Sequence, residues 1–320
     1  MNRIQLIRIF LFCLILFAFL WCIDKFIAYG ASRSPYSYYH KIALIGAHKT
    51  DPEVAVFGSS VGEVAVNASQ LSAQTNRTAY NLCIDGTRFL QYNGLIREFN
   101  QYSTHCKLVV MAETFFSLSK IDQLTEPDRY LAFIDKPNIY QSLHDIQPDL
   151  TWKLKCVPFY RFVVAENQYY KASFLGLKHI LTKALENDSL LGFTPRYKEW
   201  ETGLDKFNST SKRMDITVDS ATVSEYMQTL IALRKKGKKV LLIIPPIQED
   251  GLKLLGMNEL RKTLSSMEGE GIYFRDYSSI DLSRNKKYFY NNSHLNAKGA
   301  RAFTGRLALT IDSILINKTN

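Results

Sequence analysis

"VAVFGSSVGEVAVNASQL", residues 54–71, begins as a short apolar run and stops abruptly at Gly58-Ser59-Ser60. Short apolar runs rich in β-branched residues read as buried strands. A small residue followed by serine at a strand-to-helix turn is a place where a hydroxyl can be exposed. The free amides of the helix start then face whatever that hydroxyl touches. Similar runs recur as "AYNLCI" (79–84), "KLVVMA" (107–112), "KVLLIIPP" (239–246) and "GIYFRDY" (271–277). Helical patterns separate most of them: "GTRFLQYNGLIREFNQY", "SATVSEYMQTLIALRKKGKK" and "EDGLKLLGMNELRKTLSSMEGE". Strands alternating with helices imply right-handed crossovers and a mostly parallel sheet of five strands, covered on both faces.

Ligands of open α/β sheets bind beyond the carboxyl ends of the strands. Three stretches fall there. The first is Gly58-Ser59-Ser60. The second is "NLCIDGTR", where Gly86 lets a backbone amide approach an oxyanion. The third is "YFYNNSHLNAKGARAF" (288–303), which places His294 three residues after Asn291 and just before the last helix. Taken singly, each reads equally well as an ordinary turn.

The 320 residues are 46% hydrophobic and 12% aromatic, enough for a sizeable core, which excludes general disorder. A net charge of +10 suits acidic glycans or anionic lipid as well as a solvated surface. No basic block alternates with aromatics, so nucleic-acid binding is not expected. The run "RKKGKK" (234–239) reads as a helix end, with Gly237 as the cap and cations against the dipole. Cys83, Cys106 and Cys156 lack metal-ligand spacing. Neither a metal nor a cofactor is expected. Six glycosylation-type triplets start at Asn67, Asn76, Asn187, Asn208, Asn291 and Asn317, and are read as chance.

At the N-terminus, Arg3 and Arg8 precede an unbroken apolar run from Ile9 to Ile23. With its flanks it reaches bilayer-spanning length, about 20 residues. The positive residues in front predict a cytoplasmic N-terminus and an exported remainder. A cleaved signal peptide is the competing reading, because "AYGAS" supplies small residues near Gly30. The expected organisation is an anchor over 1–28, a juxtamembrane stalk with a short helix near the membrane over 29–50, an α/β domain from 51–118 and 219–316, and a mainly helical insertion over 119–218 that serves as a lid or acceptor surface.

The order of the motifs resembles that of the SGNH (GDSL-type) hydrolase superfamily, over roughly residues 51–118 and 219–316. "VAVFGSSVGEVAVNASQL" is similar to its first block, with Ser60 as nucleophile and Ser59 where Asp is usual. "YNLCIDGTR" is similar to the second, with Gly86 in the oxyanion hole. "FYNNSHLNAKGARAFTGRL" is similar to the last, with His294 as base. The anchor, "FGSS" and "HLNAKGA" together resemble membrane-anchored bacterial members that act in surface-polymer acylation, of the D-alanyl-lipoteichoic acid and alginate O-acetylation kinds.

The resemblance implies a three-layer flavodoxin-like fold and a plasma-membrane protein with its catalytic domain outside. It implies an esterase or O-acyltransferase working on an acylated glycan or lipid-linked polymer, with a membrane acyltransferase as a partner. Two positions depart from the pattern. The third block offers Glu113 or Thr114 in "VVMAETFF" where an oxyanion-hole Asn is usual, and Thr114 is the one that can donate. Asn291 stands where the family has an acid, so it can orient His294 without countering the imidazolium charge. Asp276 and Asp281 are the other acids that could reach His294. A silent module that binds glycan or scaffolds an acyltransferase is the alternative reading.

Overall fold

The computed structural model describes residues 2–35, 37–182 and 188–316. Its strands are β1 (Val54–Gly58), β2 (Ala79–Asn81), β3 (Leu108–Ala112), β4 (Met214–Asp215), β5 (Lys239–Ile244), β6 (Leu255–Gly256) and β7 (Ile272–Asp276). Five of them form one sheet in the order β2-β1-β3-β5-β7, every pair parallel. The reversal of order beside β1 puts a topological switch point at the carboxyl ends of β1 and β3.

The sheet is buried on both faces, which is why its strands read as continuous apolar runs and not as alternations. Ala55, Phe57, Val109, Met111, Val240 and Leu242 enter one core, under helices Ser37–Gly46, Phe89–Tyr102 and Ser220–Lys235. Their chain neighbours Val54, Val56, Leu108, Val110, Leu241 and Ile243 enter the other, under Ala68–Thr75 and Ala297–Ile316. The result is a three-layer α/β fold. Asp219 caps Ser220–Lys235 by accepting from the Thr222 amide at 2.8 Å. Gly237 ends that helix in the left-handed region (φ +78°), as the run "RKKGKK" implied. The expected single helix over "EDGLKLLGMNELRKTL" is instead two, Glu249–Lys253 and Asn258–Ser266. Between them Leu255–Gly256 pairs with Met214–Asp215 as a two-stranded ladder.

Over 29–50 the expected short helix is present, and little of the chain is left as a stalk. The N-terminal helix continues from Arg3 to Ser32, and Ser37–Gly46 buries Tyr38, Tyr39, Ile42 and Ile45 in the core that holds Phe57 and Phe89. Apolar side chains at helical spacing have pulled this segment onto the sheet.

Helix Arg3–Ser32 is long and apolar enough to cross a membrane. Its last turns are joined to the insertion. Asp24 meets the guanidinium of Arg161 at 3.2 Å, both buried, and Lys25 meets Asp135 at 2.7 Å. Gly30 and Gly176 allow this helix and Asn167–Thr182 to approach backbone to backbone. Between β3 and β5, residues 119–218 carry helices Pro137–His144, Pro148–Cys156 and Asn167–Thr182 among shorter pieces.

Candidate active site

The turn after β1 is built by close approach. At Gly58 (φ +153°) a Cβ would run into the Ala112 carbonyl of β3. At Gly62 it would lie 2.6 Å from Cys83 Sγ and 2.7 Å from the Ala112 methyl. Only glycine lets the short helix Ser60–Ala65 sit this tightly over β1, β2 and β3. Ser59 occupies the N-cap position and Ser60 the first helical one, so the Ser60 amide has no intrahelical acceptor. The buried Asn81 side chain holds the helix from beneath, donating to the carbonyls of Gly62 (3.0 Å), Glu63 (3.3 Å) and Val66 (2.8 Å).

His294 arrives from the other end of the chain. Its Nε2 lies 2.8 Å from Ser60 Oγ, across 234 positions of sequence. The terminal helix Ala297–Ile316 enforces this meeting: Thr304 Oγ1 accepts from the Asn67 amide at 3.0 Å, and Gln70 Nε2 donates to the Arg301 carbonyl at 3.0 Å. Asn296 caps that helix, accepting from the amides of Lys298 (3.1 Å) and Gly299 (3.0 Å). The Asn and Gly of "HLNAKGA" are therefore fold residues that aim the histidine.

Asn291 Oδ1 accepts from the amides of Ser293 (3.1 Å) and His294 (2.9 Å) and lies 3.0 Å from His294 Nδ1. Two backbone donors fix the oxygen, not the NH₂, toward the ring. Nδ1 must then carry the proton, which leaves the Nε2 lone pair facing the Ser60 hydroxyl. An amide thus sets the tautomer that an acid would set, but without the charge. Asp276 is taken by Arg261 (2.7 Å) and Asp281 lies near Arg306 (3.8 Å), so neither orients the imidazole. Burial pushes the imidazole pKa down to about 4. Asp85 and Glu63 oppose that effect and Arg196 adds to it.

Gly86 has φ +74°, a conformation that L side chains rarely adopt, and follows Asp85 directly. Arg129 fixes this loop by binding both the carboxylate (3.3 Å) and the carbonyl of Asp85. Thr114 is buried two residues past β3. Its amide donates to Ser117 Oγ at 2.9 Å, and its hydroxyl has no hydrogen-bond partner. The Ser59 hydroxyl is likewise buried and unpaired. Glu113 accepts from the hydroxyls of Tyr226 (2.6 Å) and Tyr92 (3.2 Å), and burial raises its pKa. That carboxylate belongs to the core between helices.

Sequence reasoning missed three participants. Arg196, in the insertion, accepts from the Ala297 amide through its carbonyl at 2.8 Å, and its charge acts on His294. Tyr290 stacks on the imidazole with ring centres 5.5 Å apart. Glu63, one turn past Ser60, forms a buried ion pair with Lys41 at 2.9 Å, and Lys41 also donates to the Cys83 carbonyl at 2.9 Å. The GEV run after the serines was the only signal for Glu63; nothing in 188–200 pointed to Arg196. A cleft of about 340 Å³ opens at the start of the terminal helix, lined by Arg196, Lys198, Trp200, Lys286, Lys287 and Asn296 among others, and not by Ser60 or His294.

No protein-family model and no curated protein matches the chain. One similar solved structure is described as "a putative platelet activating factor from Streptococcus pneumonia". It is 12% identical, covers 87% of this chain and 90% of its own, and has a TM-score of 0.39. Another is a family two carbohydrate esterase from Clostridium thermocellum in complex with cellohexaose, 9% identical over 83% of this chain and 66% of its own, with a TM-score of 0.41. At these TM-scores neither likeness assigns the chain to a family.

Proposed function

We propose that the chain is a serine esterase or O-acyltransferase of the SGNH type. The observation that carries this is the relay Asn291–His294–Ser60, with contacts of 3.0 and 2.8 Å and one tautomer enforced. Ser60 Oγ attacks the acyl carbonyl carbon while its proton passes to His294 Nε2. The amides of Ser60 and Gly86 and the unpaired Thr114 hydroxyl receive the developing oxyanion. Collapse breaks the bond to the leaving oxygen, which takes the proton from the imidazolium. Water, or a glycan hydroxyl, then attacks acyl-Ser60 by the reverse sequence. Side chains and backbone amides suffice for every step.

A bacterial plasma-membrane location, with the N-terminus cytoplasmic and the catalytic domain outside, is supported by Arg3 and Arg8 ahead of the apolar helix. An acylated envelope glycan or lipid-linked polymer as substrate is supported by the open cleft with Trp200 beside cationic side chains. A membrane acyltransferase would be the acyl donor in the transfer reaction. The second reading, a silent glycan-binding or scaffolding module, is favoured by the uncharged Asn291 and by the absence of the usual oxyanion-hole Asn at Glu113-Thr114.

The test is a fluorophosphonate probe on the full-length protein in detergent. The wild type is expected to be labelled and Ser60→Ala not. Labelling that persists in Ser60→Ala puts the nucleophile elsewhere, and no labelling of the wild type favours the silent module.

A further inference from the structure

We infer that the outer surface of residues 151–171 is a second membrane contact, lying flat on the headgroups beside the anchor. This rests on the reading of Arg3–Ser32 as a membrane span, but not on which way that span points.

The span measures the depth. The unbroken apolar run Ile9–Ile23, extended past Arg8 to Ile4, is 20 residues, about 30 Å at the helical rise, the thickness of the hydrocarbon layer, with Arg8 reaching back to the headgroups on the far side. Asp24 is then the first charge on the domain side and marks the boundary between hydrocarbon and headgroups. Its buried partner is Arg161, and Lys25 is held by Asp135. The insertion is thereby clamped at the level of the bilayer surface, whichever leaflet that is.

What surrounds Arg161 suits that level. Trp152 is 53% exposed, Val163 70% and Tyr170 43%, with Val157 beside them. Aromatic rings also pack on one another along the same stretch of chain. Lys153 Nζ sits 5.8 Å from the Tyr160 ring, Phe159 packs on Phe162 at 5.4 Å, and Phe162 stacks on Tyr170 at 5.6 Å. From Thr151 to Lys171 the charges other than Arg161 are Lys153, Lys155 and Lys171 against Glu166. Tryptophan and tyrosine with flanking lysines form the composition that settles at membrane interfaces, and the excess of lysine favours anionic lipid. Exposed aromatic and apolar side chains gathered in one stretch that is clamped to a hydrophobic helix mark an interaction surface. The occupant is therefore the lipid surface itself.

The chain has three tryptophans, which supplies the test. Full-length protein carrying Trp21→Phe and Trp200→Phe, reconstituted in phosphatidylcholine–phosphatidylglycerol vesicles, reports Trp152 alone. Lipid brominated on its acyl chains is expected to quench Trp152, and aqueous iodide to quench it at least about threefold less than in denaturant. Lys153→Glu with Lys155→Glu is expected to weaken the lipid quenching, with the loss confined to vesicles containing phosphatidylglycerol. A companion protein retaining only Trp21 checks the anchor. If bromolipid quenches Trp21 while Trp152 stays open to iodide and untouched by lipid, the second contact is overturned and the anchor stands. If Trp21 is not quenched either, the anchor fails and the contact falls with it.

Discussion

Replacing Asn291 by Asp isolates what the amide withholds from the relay. Asn291 Oδ1 stands 3.0 Å from Nδ1 and is held by two backbone amides, so the aspartate oxygen inherits a defined place. An opposite charge at that range raises a basic pKa by about 1–3 units. Starting from an imidazole held down at about 4, the ring in Asn291→Asp titrates correspondingly higher. The sign follows from the chemistry. His294 serves as base only when neutral, so activity is lost as pH falls through its pKa, and the acidic limb of kcat/KM moves up by the same amount. At neutral pH the ring is still neutral in both forms, yet more basic and better able to stabilise its own cation in the variant. Asp→Asn in a serine protease costs about 10⁴ in turnover, so the reverse change here is expected to raise turnover on a small acetyl ester by about 10-fold to 10⁴-fold. Initial rates of 4-nitrophenyl acetate hydrolysis across pH read both quantities. An Asn291→Asp protein that keeps the wild-type limb and rate would refute the relay.

Other perturbations probe the supports of the site. Arg196→Gln removes a cation that depresses the imidazole, so the acidic limb of the same profile should shift upward, in the direction of Asn291→Asp but by less. Lys41→Ala strands the buried Glu63 carboxylate and should cost about 3–5 kcal/mol in denaturant unfolding, whereas Lys41→Met with Glu63→Gln should recover most of it. Gly62→Ala drives a methyl toward Cys83 and the Ala112 side chain; about 1–3 kcal/mol of stability should go, and esterase turnover with it, because the serine helix must lift.

The sheet was legible because buried parallel strands are nearly continuous apolar runs. Val54–Phe57, 107–112 and 239–246 read almost as they fold; of "AYNLCI" Ala79–Asn81 is regular strand, the Leu82 and Ile84 amides still donate to the Val56 and Gly58 carbonyls of β1, and the Asn81 side chain binds the serine helix. The contact between Ser60 and His294 was legible too, since each follows a predicted strand. The imidazole tautomer was not, because that depends on which amide atom two backbone donors fix. The short helix in 29–50 was legible, but not its docking: Tyr38, Ile42 and Ile45 share one face and enter the core instead of facing the membrane. Arg196 could not be read, as its segment lacks periodicity and meets the histidine only in the folded chain.

The junction at Asp24, Gly30 and Gly176 bears on how this molecule could ever be released. A peptidase cutting at Ala28-Tyr29-Gly30-Ala31-Ser32 would have to pull Ala28, Gly30 and Ala31 out of their packing and abandon Arg161. Shedding would unmake part of the fold. With that helix as the proposed anchor, the domain would be tethered without slack, and a polymer substrate of the kind proposed would have to be met at the bilayer.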